Sequence, residues 1–118
     1  MEFKHDWDQA QTRTLAWWAG EIVDRPCLQI TAPREGLEAV RRQATERPSG
    51  VSVERWWTDV DLVVERTARR IETTYYGGVA FPLFNPNLGP DLFAAFLGAP
   101  VRFLDTNTNW FGHHLDDW

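Results

Sequence analysis

Apolar side chains recur at three- and four-residue spacing in several segments of the chain, and this spacing predicts amphipathic helices. The first helix is predicted from Asp6 to Ala19, with Gly20 as its C-terminal stop. Its apolar stripe consists of Trp7, Ala10, Thr14, Trp17 and Trp18. A second helix is predicted over residues 37–45, before the loop Arg47–Gly50.

The best-defined helix begins after a cap at Thr58 or Asp59 and ends at Gly77–Gly78. Charged residues lie between the apolar positions of its seam, which are Val60, Val64, Thr67, Ile71 and Tyr75. A short helix is predicted over residues 91–97, because Pro90 suits a first helical turn and Gly98 follows.

Three short apolar segments predict strands at residues 27–31, 79–84 and 99–104. Strands separated by helices favour a parallel sheet, and we expect the helix over residues 59–75 to cross between the first two strands. The predicted fold class is therefore α/β, the N-terminal part of a (β/α)8 barrel with parallel strands alternating with helices. A whole barrel needs about 250 residues, so residues 1–118 are interpreted as a single incomplete domain.

The amino-acid composition limits the kinds of molecule that the chain is expected to bind. Twelve basic residues against seventeen acidic ones give a net charge of −5, which argues against nucleic acid. Cys27 is the only cysteine, and no run approaches the apolar length of a membrane span, so a cytoplasmic protein is expected. Seven tryptophans exceed what a small interior buries well, and we interpret part of that surface as a contact surface.

Candidate binding residues follow from the expected parallel sheet, where ligands sit beyond the C-terminal ends of strands. Arg34 follows the first strand and could hold a carboxylate, while Asn85 and Asn87 follow the second and could orient it. The alternatives are a surface arginine and asparagines that satisfy turn backbone. A metal site is not expected from the tail residues His113, His114, Asp116 and Asp117, because adjacent histidines do not readily converge on one ion.

Several phrases resemble the uroporphyrinogen decarboxylase superfamily, in its divergent bacterial branch. They are DWDQAQTRTLAWWAGEIVDRPCLQITAPR, WWTDVDLVVERTARRIETTYYGGVAFPLFNPNLGPDLFAAFLGAPVRF and TNTNWFGHHLDDW. The resemblance implies the first third of a barrel enzyme that decarboxylates tetrapyrroles or transfers methyl groups to thiol or corrinoid acceptors. No cofactor is implied for this segment, and zinc or a corrinoid is implied only for a full-length relative. The substrate implied is small and carboxylate-bearing, or tetrapyrrole-like.

The resemblance leaves the activity open. The family's aspartate after its second strand falls at the Phe81-Pro82-Leu83 phrase, where this chain has an apolar residue. Two alternatives to an enzyme segment are a small self-contained α/β module that binds a protein through its tryptophan-rich surface, and a homo-oligomer that buries its sheet edges against copies of itself.

Overall fold

Helices and short strands follow one another along the chain in a computed structural model, which describes residues 1–86, 88–89 and 91–113. The chain divides into two compact units. The first consists of Met1–Thr45 and Arg66–Phe84, and the second of Glu46–Glu65 and Asn85–Trp118. The prediction of a single incomplete domain stays a prediction.

The first unit contains three helical segments that the spacing of apolar residues predicted. They are α1 (Trp7–Trp18), α2 (Glu38–Thr45) and the last part of α4 (Val60–Glu72). Helix α1 ends in a left-handed turn, because Gly20 has a φ of 76° and its N–H bonds to the Trp17 carbonyl. The helix predictions over residues 6–19, 37–45 and 59–75 are thus confirmed, the last with an earlier end.

Two strands, β1 (Gln29–Pro33) and β2 (Thr74–Gly78), form the sheet of the first unit, and they are antiparallel. Residue Gln29 lies opposite Gly78, and Pro33 lies opposite Thr74. The predicted parallel sheet, and with it the barrel fold class, is therefore wrong. Parallel sheets occur where both faces are covered, whereas four of the five β1 residues are exposed.

The second strand also lies earlier than predicted. Residues 79–84 are not a strand, and β2 begins two residues after α4 ends. The β-branched and aromatic run Thr74–Tyr76 suits a pleated surface, while Pro82 lacks the N–H that a ladder needs. Gly77 and Gly78 are part of the strand and do not stop the helix.

The second unit contains α3 (Val53–Thr58), the beginning of α4, α5 (Leu92–Phe96) and a hairpin of β3 (Val101–Phe103) and β4 (Asn109–Phe111). The predicted short helix and the third predicted strand are confirmed as α5 and β3. Helix α3 was not predicted, although Ser52 caps it by accepting the Arg55 N–H at 3.1 Å. Strand β4 was not predicted either. It follows a turn in which the Asp105 carboxylate accepts the N–H groups of Asn107 and Thr108.

The interior of the described residues is small. Its buried apolar members are Ala10, Ala44, Trp56, Val79, Ala80 and Ala99. No residue of α4 is buried, and Val60 at the start of its seam is 71% exposed. The prediction that several tryptophans are exposed is confirmed by Trp17, Trp18 and Trp110, whereas Trp56 is buried. Trp118 lies outside the described residues.

Candidate functional site

A groove of about 550 Å³ lies in the first unit, between the N-terminal segment and the sheet. Three stretches of chain line it: residues 3–6, residues 33–35 at the end of β1, and residues 75–78 of β2. Its ionisable members are Lys4, His5, Asp6, Arg34, Glu35 and the two tyrosines Tyr75 and Tyr76. Two strongly basic and two acidic side chains therefore share one opening.

Lys4, the chain's only lysine, is the most unusual side chain of this groove, since it is 2% exposed. Its ammonium donates to the carbonyl oxygens of Tyr76 at 3.1 Å and Gly78 at 2.7 Å, and it pairs with Asp6 at 2.9 Å. An ammonium has three donors, and these three acceptors satisfy all of them. The hydrogen bond from Lys4 holds the pKa of the Asp6 carboxyl below its usual range, because it favours the ionised form.

Arg34, predicted as a carboxylate ligand, lies in this groove and is anchored by the fold. Its N–H donates to the Thr73 carbonyl at 2.9 Å, and its Nε donates to the Thr74 carbonyl at 3.1 Å. Its guanidinium carbon lies 5.5 Å from the centre of the Phe3 ring, which is a cation–π distance. The two terminal nitrogens have no protein partner within the described part of the chain.

Asn85 and Asn87 were predicted to lie near Arg34, and the reason given for that prediction does not hold. That reasoning required two parallel strands ending on one side, and β1 and β2 are antiparallel. Asn85 is exposed and belongs to the second unit, whereas Arg34 belongs to the first. Asn87 lies outside the described residues. The common ligand site of these three residues stays a prediction.

The sequence reasoning missed Lys4. A lone lysine between Phe3 and Trp7 is a usable signal, because a cation flanked by aromatic residues often has its aliphatic stem packed against them. Its two carbonyl partners, Tyr76 and Gly78, lie more than seventy residues further along the chain. No local pattern could therefore name them.

A second feature of the first unit is an apolar surface at the end of α1, which we call the tryptophan surface: Leu15, Trp17, Trp18, Ile22 and Val23. All five side chains are exposed, Trp18 to 75% and Trp17 to 55%. The two indole rings meet edge to face with centroids 4.8 Å apart. Trp17 also lines a groove of about 230 Å³ together with Ile22 and Val23.

An ion pair braces this surface. Arg13 on α1 donates through Nε and Nη2 to the two Asp24 oxygens, at 2.8 and 2.7 Å. This bidentate contact strongly lowers the pKa of Asp24, and Arg25 adds to the effect. The Cys27 thiol donates to the Arg13 carbonyl at 3.2 Å. These contacts fix residues 24–27 to α1. Ile22 and Val23, which lie between α1 and this segment, are thereby held in place.

Within the described residues, no three His, Cys, Asp or Glu side chains are grouped closely enough to hold a metal ion. Of the four tail residues weighed as ligands, His113 is exposed, and His114, Asp116 and Asp117 lie outside the described residues. Zinc and corrinoid binding stay predictions about a longer relative. No described helix is both long and apolar enough to cross a membrane.

Comparison with known proteins gave no relative. No family model, no curated protein and no solved structure matches the chain. The resemblance to the uroporphyrinogen decarboxylase superfamily therefore stays a prediction made from the residues, while the barrel that it implied is contradicted by the antiparallel sheet.

Proposed function

We propose that this chain is an association module that binds another polypeptide through the tryptophan surface. The observation that carries the proposal is the exposure of Trp17 and Trp18 beside Leu15, Ile22 and Val23. Contiguous exposed apolar surface marks interaction sites, and tryptophan is the residue most enriched among those that dominate binding energy.

The surroundings of this surface suit a protein partner. The Arg13–Asp24 pair supplies a polar rim next to an apolar centre, which is the usual anatomy of a protein interface. The indoles are already positioned by their mutual contact and by the braced 24–27 segment. Little conformational entropy would then be lost on binding.

A photo-crosslinking amino acid at position 18, introduced into the chain in cells, tests the proposal. We expect a discrete adduct of higher mass from position 18. The matched control is position 9, since Gln9 is exposed on the same helix, nine residues or about 180° away from Trp18. Trp17→Ala should weaken the purified complex by about 30-fold, which corresponds to a hot spot of about 2 kcal/mol. Equal labelling from positions 9 and 18 would contradict the proposal.

A second candidate function is the binding of a small carboxylate at Arg34. It is favoured by the two terminal guanidinium nitrogens, which have no partner in the described part of the protein while Nε and the aromatic face of Phe3 hold the group in place. Such a fork matches a carboxylate bidentately. The test is titration with mono- and dicarboxylates followed by NMR, comparing Arg34→Lys with the wild type. A shift that Arg34→Lys leaves unchanged would remove this candidate.

We propose the cytoplasm as the location of the chain. The Cys27 thiol is unpaired and serves as a hydrogen-bond donor within the fold. Reduced thiols of this kind persist in reducing compartments.

A further inference from the structure

The two outer edges of the β1–β2 sheet differ in whether their backbone groups are hydrogen-bonded. In an antiparallel pair, the residues whose N–H and C=O groups face the partner strand alternate with residues whose groups face outward. The Val79 N–H bonds to the Leu28 carbonyl, and the Arg34 N–H bonds to the Thr73 carbonyl. The even-numbered residues from 28 to 34 therefore face β2. The outward-facing groups of β1 belong to Gln29, Thr31 and Pro33.

The outer edge of β2 is closed by cations. By the same alternation, its outward carbonyls belong to Thr74, Tyr76 and Gly78. Arg34 Nε takes the first of these carbonyls, and the buried Lys4 ammonium takes the other two. Charged side chains on an edge are a recognised means of preventing strand addition.

In the described part of the chain, the outer edge of β1 has no cation over its carbonyls, and its one blocking residue is Pro33 at the end of the strand. Gln29, Thr31 and Pro33 are exposed, and their outward backbone groups have no partner within the described residues. Only Pro33 lacks an N–H to offer. An isolated two-stranded sheet is marginal in water, and three or more strands with an apolar face are needed for independent stability. The β1 edge is thus a set of backbone donors and acceptors placed for one more strand.

We infer that this edge binds the same edge of a second copy, to form a four-stranded sheet in the order β2-β1-β1-β2. The register follows from the ladder, which runs from Leu28 to Arg34 and has Thr31 at its centre. Antiparallel pairing about Thr31 places each residue from Gln29 to Pro33 opposite a residue of the second copy. Each Thr31 exchanges both backbone bonds with the second copy's Thr31, and each Gln29 N–H reaches the second copy's Pro33 carbonyl. Pro33 has no N–H to donate back, so the Gln29 carbonyls stay open to water, and four backbone bonds join the two copies in this register.

The side chains agree with a second copy as the occupant. Leu28 and Ile30 lie on one face of β1 and are exposed, with Ala32 beside them. In the register about Thr31, each Ile30 lies opposite the second copy's Ala32, so the apolar faces of the two β1 strands become continuous. Directly opposed apolar pairs stabilise antiparallel sheets. This inference does not depend on the tryptophan surface, which lies elsewhere in the sequence.

Charge substitution at Thr31 tests the inference, because the two-fold axis places this residue against itself. We expect the wild type to dimerise in sedimentation velocity, and Thr31→Lys alone and Thr31→Glu alone to dissociate. A mixture of the two variants should restore a dimer, with affinity about 30-fold above either variant alone. Thr31→Val keeps the backbone N–H and the branched shape, and should dimerise like the wild type. Far-UV circular dichroism checks that each variant is folded.

Cysteine pairing tests the register. In a Cys27→Ser background, Thr31→Cys should form an intermolecular disulfide, since residues at the axis have Cα atoms about 5.5 Å apart. Gln29→Cys should not, because its two copies would lie about 14 Å apart. A monomeric wild type overturns the inference. A dimer that Thr31→Lys leaves intact also overturns it. If the double substitution Trp17→Ser and Trp18→Ser then dissociates that dimer, the tryptophan surface is the self-association site and the proposed function stands.

Discussion

Replacing Lys4 by methionine tests how much the fold depends on this buried cation. The substitution keeps a long apolar stem and removes the ammonium, so the Tyr76 and Gly78 carbonyls lose their donor. Hydrogen bonds to a charged group contribute about 1.5–3 kcal/mol each. Part of this gain is offset in the wild type, because burying an ion costs several kcal/mol. We expect Lys4→Met to lower the free energy of unfolding by about 2–4 kcal/mol.

Urea denaturation followed by circular dichroism measures this change. Asp6→Asn is the matched comparison, because it removes the negative charge beside the same ammonium and leaves both carbonyl bonds in place. A second measurement uses the fact that the chain has one lysine. Its ε-amine should react with an acylating reagent only after urea unfolds the protein. A loss below about 0.5 kcal/mol, with rapid acylation in the native state, would refute this account of Lys4.

Three further substitutions test other parts of the fold. Gly78→Ala should lower the free energy of unfolding in urea by about 2–4 kcal/mol, because the φ of Gly78 is 62° and a Cβ would overlap the Leu28 carbonyl. Gly36→Ala is the control: its φ is 76° but the space around it is open, so the loss should be only about 1 kcal/mol. Asn109→Asp should cost about 3 kcal/mol at neutral pH and less in acid, because it removes a donor and buries a carboxylate; an unchanged midpoint would contradict this. Asp24→Asn should lower the melting temperature above pH 4, and the difference from the wild type should shrink as the pH falls below about 3.8, since the depressed pKa of Asp24 adds stability only while the carboxylate is ionised.

Only part of the candidate site around Arg34 could be predicted from the sequence. Arg34 could be selected from its place after a strand, and the structure does put it in a groove with an anchored guanidinium. Asn85 was paired with Arg34 only through an assumed strand direction, and that direction is reversed. Lys4 was missed because two of its three acceptors are carbonyls of a distant strand, and a backbone acceptor has no sequence signature.

By itself the sequence determined most of the local elements, although α3 and β4 were not predicted from it. The periods of α1, α2, α4 and α5 were sufficient to predict these helices, because the hydrogen bonds of a helix join residues four apart and caps act over the same range. The end of α4 was not predicted correctly, since Gly77 and Gly78 belong to β2. Strand β3 was predicted from its short apolar run. Strand direction and the position of β2 were decided only by the tertiary structure. Pairing β1 with β2 joins residues more than forty apart, and either direction satisfies the same apolar pattern. Which edge is closed is likewise a tertiary outcome, since it depends on where the N-terminal segment carries a single ammonium.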